Sequence, residues 1–325
     1  MLTALFNWSQ LPFTTTRFRQ RSDLIVFFFF LIGNGSFLRS YTRVLKITVG
    51  KKDAEPIEKG SHEVALLDIE EENKLLILTY YSLNHVRSAD YFARRAAEIE
   101  NAYKGSQAPS QELIDQQQAY VIGSVFASVA FLEAMINEVF RDAVGYKKGE
   151  SRTDFLQKLS PPVIISMAQA WEIGVDWSKE PSLRQFLRDK RKKLPDWWYI
   201  LDKYQLALFK AHSKPFDKKD LLWKEVEILV DLRNLLTHHK PEWITFVPGE
   251  PYKAENKETA KLMKRLEAHG FSNPILPGKG HDFLDYLGAG CANWAVDSSL
   301  SFVNEFSKRV PLKLPNSVSD LILNL

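Results

Sequence analysis

From about residue 80 onward, apolar positions recur at helical spacing. In residues 83–103, Val86, Ala89, Phe92, Ala96, Ala97 and Ile99 share one side and charged residues fill the other, as on an amphipathic helix. Residues 105–110 break this pattern, and 111–143 read as one long helix. Its middle, 121–140, is apolar nearly all round and carries the small residues Gly123, Ser124, Ala127, Ser128, Ala130 and Ala134. Such a pattern predicts a central helix packed closely on several sides. Glu133 and Asn137 interrupt it, which argues against a membrane span. Residues 145–153 read as a loop, 154–159 as the start of a helix ended by Pro161-Pro162, and 163–171 as the next helix. Residues 176–193 are polar and basic, and 201–211 form a short helix. A clear amphipathic helix covers 221–239, with Leu222, Val226, Ile228, Leu229, Leu232 and Leu236 on its buried side and Pro241 to stop it. A turn at 248–252 precedes a charged helix, 256–268, closed by Gly270, and 271–280 is a loop. Residues 281–306 read as a last long helix carrying Cys291, Trp294, Val296, Leu300, Phe302, Val303 and Phe306; Pro311 and Pro315 then mark an irregular tail.

Before residue 80 the pattern is different. The run 24–32 (LIVFFFFLI) is too short to cross a bilayer as a helix, which takes about 20 residues. Arg17, Arg19 and Arg21 before it give it a loose likeness to a signal peptide, but Gly33-Asn34-Gly35-Ser36 lacks the usual cleavage pattern. A buried strand is the preferred reading, with Asn34-Gly35 as a hairpin turn and Leu45, Ile47 and Val49 alternating with Lys46 and Thr48. A poorly packed extension is a third reading, and the sequence leaves the three open. Residues 51–61 read as a linker, and 64–67 and 74–79 as short strands around an acidic turn. The expected organisation is therefore an N-terminal extension, 1–60, with short strands, followed by a mainly α-helical domain, 61–325.

Composition narrows the class. Of 325 residues 45% are apolar and 26% charged, as in globular proteins. A single cysteine excludes a disulfide framework and an all-cysteine zinc site, and suits a reducing compartment such as the cytoplasm. The net charge of +3 hides an asymmetry. Residues 1–53 hold eight Lys and Arg against two Asp, which leaves the remaining chain slightly acidic, with no global positive field to mark it as a nucleic-acid binder. His62, His85, His212, His238, His239, His269 and His281 form no zinc spacing, and Gly33-Asn34-Gly35 lacks the pattern of a nucleotide loop. No metal or other cofactor is expected. Cys291, among apolar neighbours, reads as core.

One short stretch carries chemistry. Residues 232–241 read LRNLLTHHKP. On a helix, Asn234 and His238 stand at i and i+4 on one face, with Arg233 beside them and Thr237 stacked above the arginine. A guanidinium, an amide and an imidazole thus share the final turn, where the helix dipole also favours a cation. The bland alternative is that Arg233 and His238 merely cap exposed carbonyls.

These residues resemble the HEPN superfamily, helical bundles marked by an Arg and a His separated by four to six residues, with a polar residue after the Arg. Arg233, Asn234 and His238 match this motif, and His239 fits its looser spacing. The order of helices is also similar: a helix like 83–103 and an alanine-rich helix like 119–140 precede the motif helix in that family, so the resemblance covers about 80–240. It implies a HEPN-like bundle, a homodimer whose paired motif helices build one cleft, and metal-independent RNA cleavage by attack of the 2′-hydroxyl on the neighbouring phosphate. In that scheme His238 relays protons, Arg233 holds the phosphate and Asn234 orients one or the other. An effector of a toxin–antitoxin or anti-phage system, with an antitoxin partner, is the function so implied. Other HEPN domains are non-catalytic interaction or scaffold modules, which is the alternative. An unrelated all-helical structural protein is a third reading.

Two further groups enter as candidates. Glu133 and Asn137 share a face of the central helix and either support the motif from behind or form a buried hydrogen-bonded pair, the preferred reading. Residues 179–193 are strongly basic, and Arg184, Arg188, Lys190, Arg191, Lys192 and Lys193, followed by Trp197, Trp198 and Tyr199, have the composition of a single-strand RNA track. A solvated helix face with a buried Trp pair is the competing reading there.

Overall fold

The computed structural model describes residues 80–103, 108–149, 155–173, 199–238, 244–245, 253–254, 257–276, 283–314 and 316–323. The N-terminal extension, the linker 51–61, the expected strands 64–67 and 74–79, the basic segment 179–193, the turn 248–252, Trp197, Trp198 and His239 lie outside the described residues.

The described residues are mainly helical, as the pattern implies. They form α1 (Ser82–Ala102), α2 (Gln111–Lys148), α3 (Pro161–Glu172), α4 (Ile200–Lys210), α5 (Leu221–His238), α6 (Lys257–Ala268), α7 (Ala289–Arg309) and α8 (Asn316–Leu323). The 38-residue α2 is the axis of the bundle, about 57 Å long at helical rise. α1 runs antiparallel along it, and α3, α4, α5 and α7 pack around it. By length and composition α2 is apolar enough to cross a membrane, but over half of its most apolar window is buried inside the bundle.

Small residues bring the three central helices together. Ala89, Ala93 and Ala96 of α1 are buried against the stretch of α2 that carries Ser124, Ala127 and Ser128. The Ser124 hydroxyl lies 3.0 Å from the Ala89 carbonyl and 3.2 Å from that of Ala292 on α7, so it ties α1 and α7 to α2 at one crossing. At the other end of the core, Tyr204 is edge-on to Phe302 and Phe306, and Phe216 stacks on Phe302 with 4.5 Å between centroids. Such contacts add to the roughly 1.5–3 kcal/mol that burial of each large apolar side chain contributes.

Two helix starts are capped from a neighbouring helix. Tyr81 gives α1 no side-chain cap. Instead Glu138 of α2 accepts hydrogen bonds from the Tyr81 and Ser82 backbone N–H groups at 2.7 and 2.9 Å and from the Ser82 hydroxyl at 2.6 Å. Gly288 likewise leaves α7 without a side-chain cap, and Glu100 of α1 accepts from the Ala289 N–H at 2.6 Å. Placing a carboxylate on the free N–H groups of a helix start satisfies donors and complements the dipole.

Several boundaries differ from those the sequence implied. α2 continues through residues 145–148, expected in a loop; it stops where Gly149 adopts φ +72°, after Lys147 and Lys148 in the last turn. Pro161 and Pro162 open α3 rather than end a helix, because the first turn has no use for the missing N–H, and 155–158 are turn. The expected helix 281–306 is broken: a short 3-10 turn, Phe283–Tyr286, precedes α7, and Gly288 lies so close to the 271–276 loop that a Cβ there would sit 2.0 Å from the Ser272 carbonyl. The tail after Pro311 is not irregular throughout, since α8 forms and buries Val318. Ile244–Thr245 pairs antiparallel with Lys253–Ala254, a two-residue ladder that the pattern did not suggest.

Candidate functional site

The motif helix α5 is amphipathic for most of its length. Trp223, Val226, Ile228, Leu229, Val230 and Leu232 are buried. Its acidic residues are used by neighbours: Arg265 of α6 reaches Asp231 at 3.1 Å and Glu227 at 3.2 Å, and Glu225 accepts from the Trp294 indole of α7. His269 lies 3.5 Å from the Glu225 carboxylate and stacks on Phe271. The helix is thus held on both flanks up to Asp231, and its last turn, with Arg233, Asn234, Thr237 and His238, is what remains toward solvent.

Within that turn the four side chains are treated differently. Arg233 and Asn234 are half-buried, while Thr237 and His238 are exposed. His238 is the last residue of α5. The Thr237 hydroxyl donates to the Arg233 carbonyl at 2.8 Å, bonding back onto its own helix as threonine does in helical backbone. The Arg233 guanidinium leans toward α2, where Nη2 lies 3.9 Å from Oε2 of Glu133. That distance makes an ion pair and is too long for a hydrogen bond. The Arg233 Nε–H is buried and has no hydrogen-bond partner among the described residues. A buried donor without a partner is costly, and the Arg95 Nε–H and the Trp223 indole N–H stand in the same position.

Glu133 and Asn137 do not form the buried pair that the sequence favoured. The Glu133 side chain is 44% exposed and faces Arg233, so it does meet the motif. Asn137 is turned elsewhere: its Oδ1 accepts from the Lys203 ammonium at 2.9 Å. Lys203 is buried on α4, and its charge also lies 5.4 Å over the Trp171 ring. A buried lysine requires such partners, which is why Asn137 serves the α2–α4 contact and not the motif.

His85 joins the same neighbourhood and was not singled out by the sequence. It lies on α1 one turn after Ser82, where α1 runs beside the part of α2 that carries Glu133. Burial pulls its pKa below the ordinary imidazole value of 6.5, and the Glu133 charge opposes that shift. Its side chain makes no hydrogen bond among the described residues. The only sequence signal was a histidine at the edge of the apolar stripe next to Val86. Nothing in the spacing links position 85 to position 233.

His239 and the basic candidates Arg184, Arg188, Lys190, Arg191, Lys192 and Lys193 lie outside the described residues. Among the described residues no three His, Cys, Asp or Glu side chains gather as they would around a metal ion. Cys291 is buried in α7 among apolar groups, which push its thiol up to about 12 and leave it unreactive. Neither a family model, nor a curated protein, nor a solved structure matches the chain.

Proposed function

We propose that this chain is a HEPN-like, metal-independent endoribonuclease that acts on RNA as a homodimeric cytoplasmic effector of the toxin or anti-phage kind. The observation that carries this reading is the last turn of α5. There a guanidinium with an unpartnered, buried Nε–H stands beside an amide and, one turn on, an exposed imidazole. The chemistry follows from the residue types. Arg233 binds the phosphate and stabilises the charge that builds on it in the transition state. His238 supplies the imidazole that relays protons to and from the reacting oxygens. Asn234 orients the imidazole or the scissile group.

The reading is tested by incubating the full chain with RNA in the presence of chelator. Cleavage that disappears in His238→Ala and in Arg233→Ala, with folding intact, supports it. RNA left whole by the native chain overturns it. The alternative, a non-catalytic HEPN-type scaffold, is favoured by the Arg233–Glu133 ion pair, which gives the arginine a structural use. In that case partner binding survives both substitutions.

A further inference from the structure

RNA presents phosphate in two charge states. An internal phosphodiester carries one negative charge. A terminal phosphate on a cut end carries about −1.5 to −2 at pH 7, because its second pKa is about 6. A guanidinium standing alone favours the higher charge, since Coulomb attraction scales with it. A nuclease that uses such a group on internal bonds is therefore open to inhibition by phosphate ends, unless a second charge nearby offsets their advantage.

Glu133 supplies that charge. It comes to the motif from α2, with Oε2 3.9 Å from Nη2 of Arg233 on α5. The pair is unlike those that fasten helices elsewhere in the protein. Arg265 meets Asp231 at 3.1 Å and Glu227 at 3.2 Å, and Arg309 meets Glu305 at 2.8 Å and the Pro215 carbonyl at 3.0 Å. In those pairs an oxygen takes the guanidinium's hydrogens. At 3.9 Å the Glu133 carboxylate takes none, and it acts on Arg233 through charge. Glu133 is also the more exposed partner, at 44% against 21%, so its charge stands toward solvent, where a ligand arrives. A phosphate oxygen that accepts from Nη2 at about 2.8 Å lies within about 7 Å of that carboxylate. Over that span, in an exposed setting, each added unit of ligand charge costs about 3–10-fold in affinity.

We propose that Glu133 is a specificity-determining residue of this site, which reduces the hold of Arg233 on terminal phosphates and so turns it toward internal phosphodiesters. The proposal rests on the nuclease reading and names the substrate class within it. Glu133 touches no phosphorus and moves no proton; it works through the charge it sets beside Arg233. A diester is repelled by one charge and a monoester dianion by two, so the carboxylate costs the dianion more. The 2′,3′-cyclic phosphate left by the cut is itself a diester with one charge. The penalty therefore falls on ends opened to monoesters and not on the direct product.

The test measures inhibition of RNA cleavage by the full chain, native and Glu133→Gln, in chelator at pH 7.5. Two inhibitors are compared: a 2′-O-methyl nucleoside 3′-monophosphate, and a 2′-O-methyl dinucleoside monophosphate, which holds one internal diester and no 2′-hydroxyl to attack it. Glu133→Gln is expected to tighten inhibition by the monophosphate about 3–10-fold more than inhibition by the dinucleotide. At pH 5.5, where the monophosphate is mostly a monoanion, that difference should shrink. Glu133→Asp, which keeps the charge, should keep the native ratio. A pair that only holds α2 to α5 would change both inhibitors alike. Glu133→Ala carries the same expectation and decides the matter if Glu133→Gln does not fold. Native and variant chains that cleave RNA and show the same ratio at pH 7.5 overturn the role of Glu133 and leave the nuclease reading standing. A native chain that cleaves nothing overturns both.

Discussion

Glu133 and Glu138 lie five residues apart on α2, both beside the first turns of α1, and they are held in opposite ways. Glu138 is buried and its oxygens receive two backbone N–H groups and a hydroxyl at 2.6–2.9 Å. Glu133 is 44% exposed, and its nearest cation, Arg233, stops at 3.9 Å. The two backbone N–H groups and the hydroxyl at Glu138 are matched, as fold-forming polar groups are once water is excluded. Beside Glu133 the buried Arg233 Nε–H is left without a hydrogen-bond partner among the described residues. Glu138 is thus consumed by the start of α1, while Glu133 stays half-exposed opposite the motif arginine. The same contrast runs along α5, where Glu225, Glu227 and Asp231 are bound by α6 and α7 and the last turn is not.

This contrast can be broken in order of size. Glu138→Ala strips the start of α1 of its acceptor and leaves buried donors unmatched. It is expected to destabilise the fold by roughly 2–4 kcal/mol, lowering Tm by about 5–10 °C in a thermal melt at pH 7. His85 should make a smaller, pH-dependent contribution. Its folded pKa is below the unfolded 6.5, so the folded state binds fewer protons in that window. The stability it brings is complete above pH 6.5 and is lost as pH falls through the lower, folded value. Denaturant melts from pH 8 to pH 5 should therefore show the native chain losing stability relative to His85→Gln, and parallel curves for the two would contradict the assignment. Glu133→Gln is expected to change stability least, by less than about 0.5 kcal/mol in the same melts. A large loss there would make the Arg233–Glu133 pair part of the fold and remove the contrast with Glu138.

How much of this was legible beforehand follows the range of the interactions. Local periodicity is enough to find α1, α2, α5 and α6, because each turns a continuous apolar face to the core. Signals that depend on distant chain are not. Pro161-Pro162 reads equally as the end of one helix or the start of the next, and only the residues that α3 buries decide it. Gly288 interrupts the last long helix because the backbone at Ser272 comes against it, a contact between positions with no visible relation in sequence. The candidate site divides in the same way. Arg233, Asn234 and His238 are visible because one helical turn brings them together. Glu133 and Asn137 share a face as the spacing implies, but the buried Lys203 draws Asn137 away. His85, separated from the motif by more than a hundred residues, meets the charge of Glu133 only when α1 is laid against α2.

The most direct test of the central claim is to incubate the full native chain, in chelator, with an RNA oligonucleotide and with its 2′-O-methyl counterpart, and to analyse the ends produced. The expected result is cleavage of the RNA alone, to 2′,3′-cyclic phosphate and 5′-hydroxyl ends, with none by His238→Ala. Intact RNA, or equal cleavage of the 2′-O-methyl strand, would contradict it.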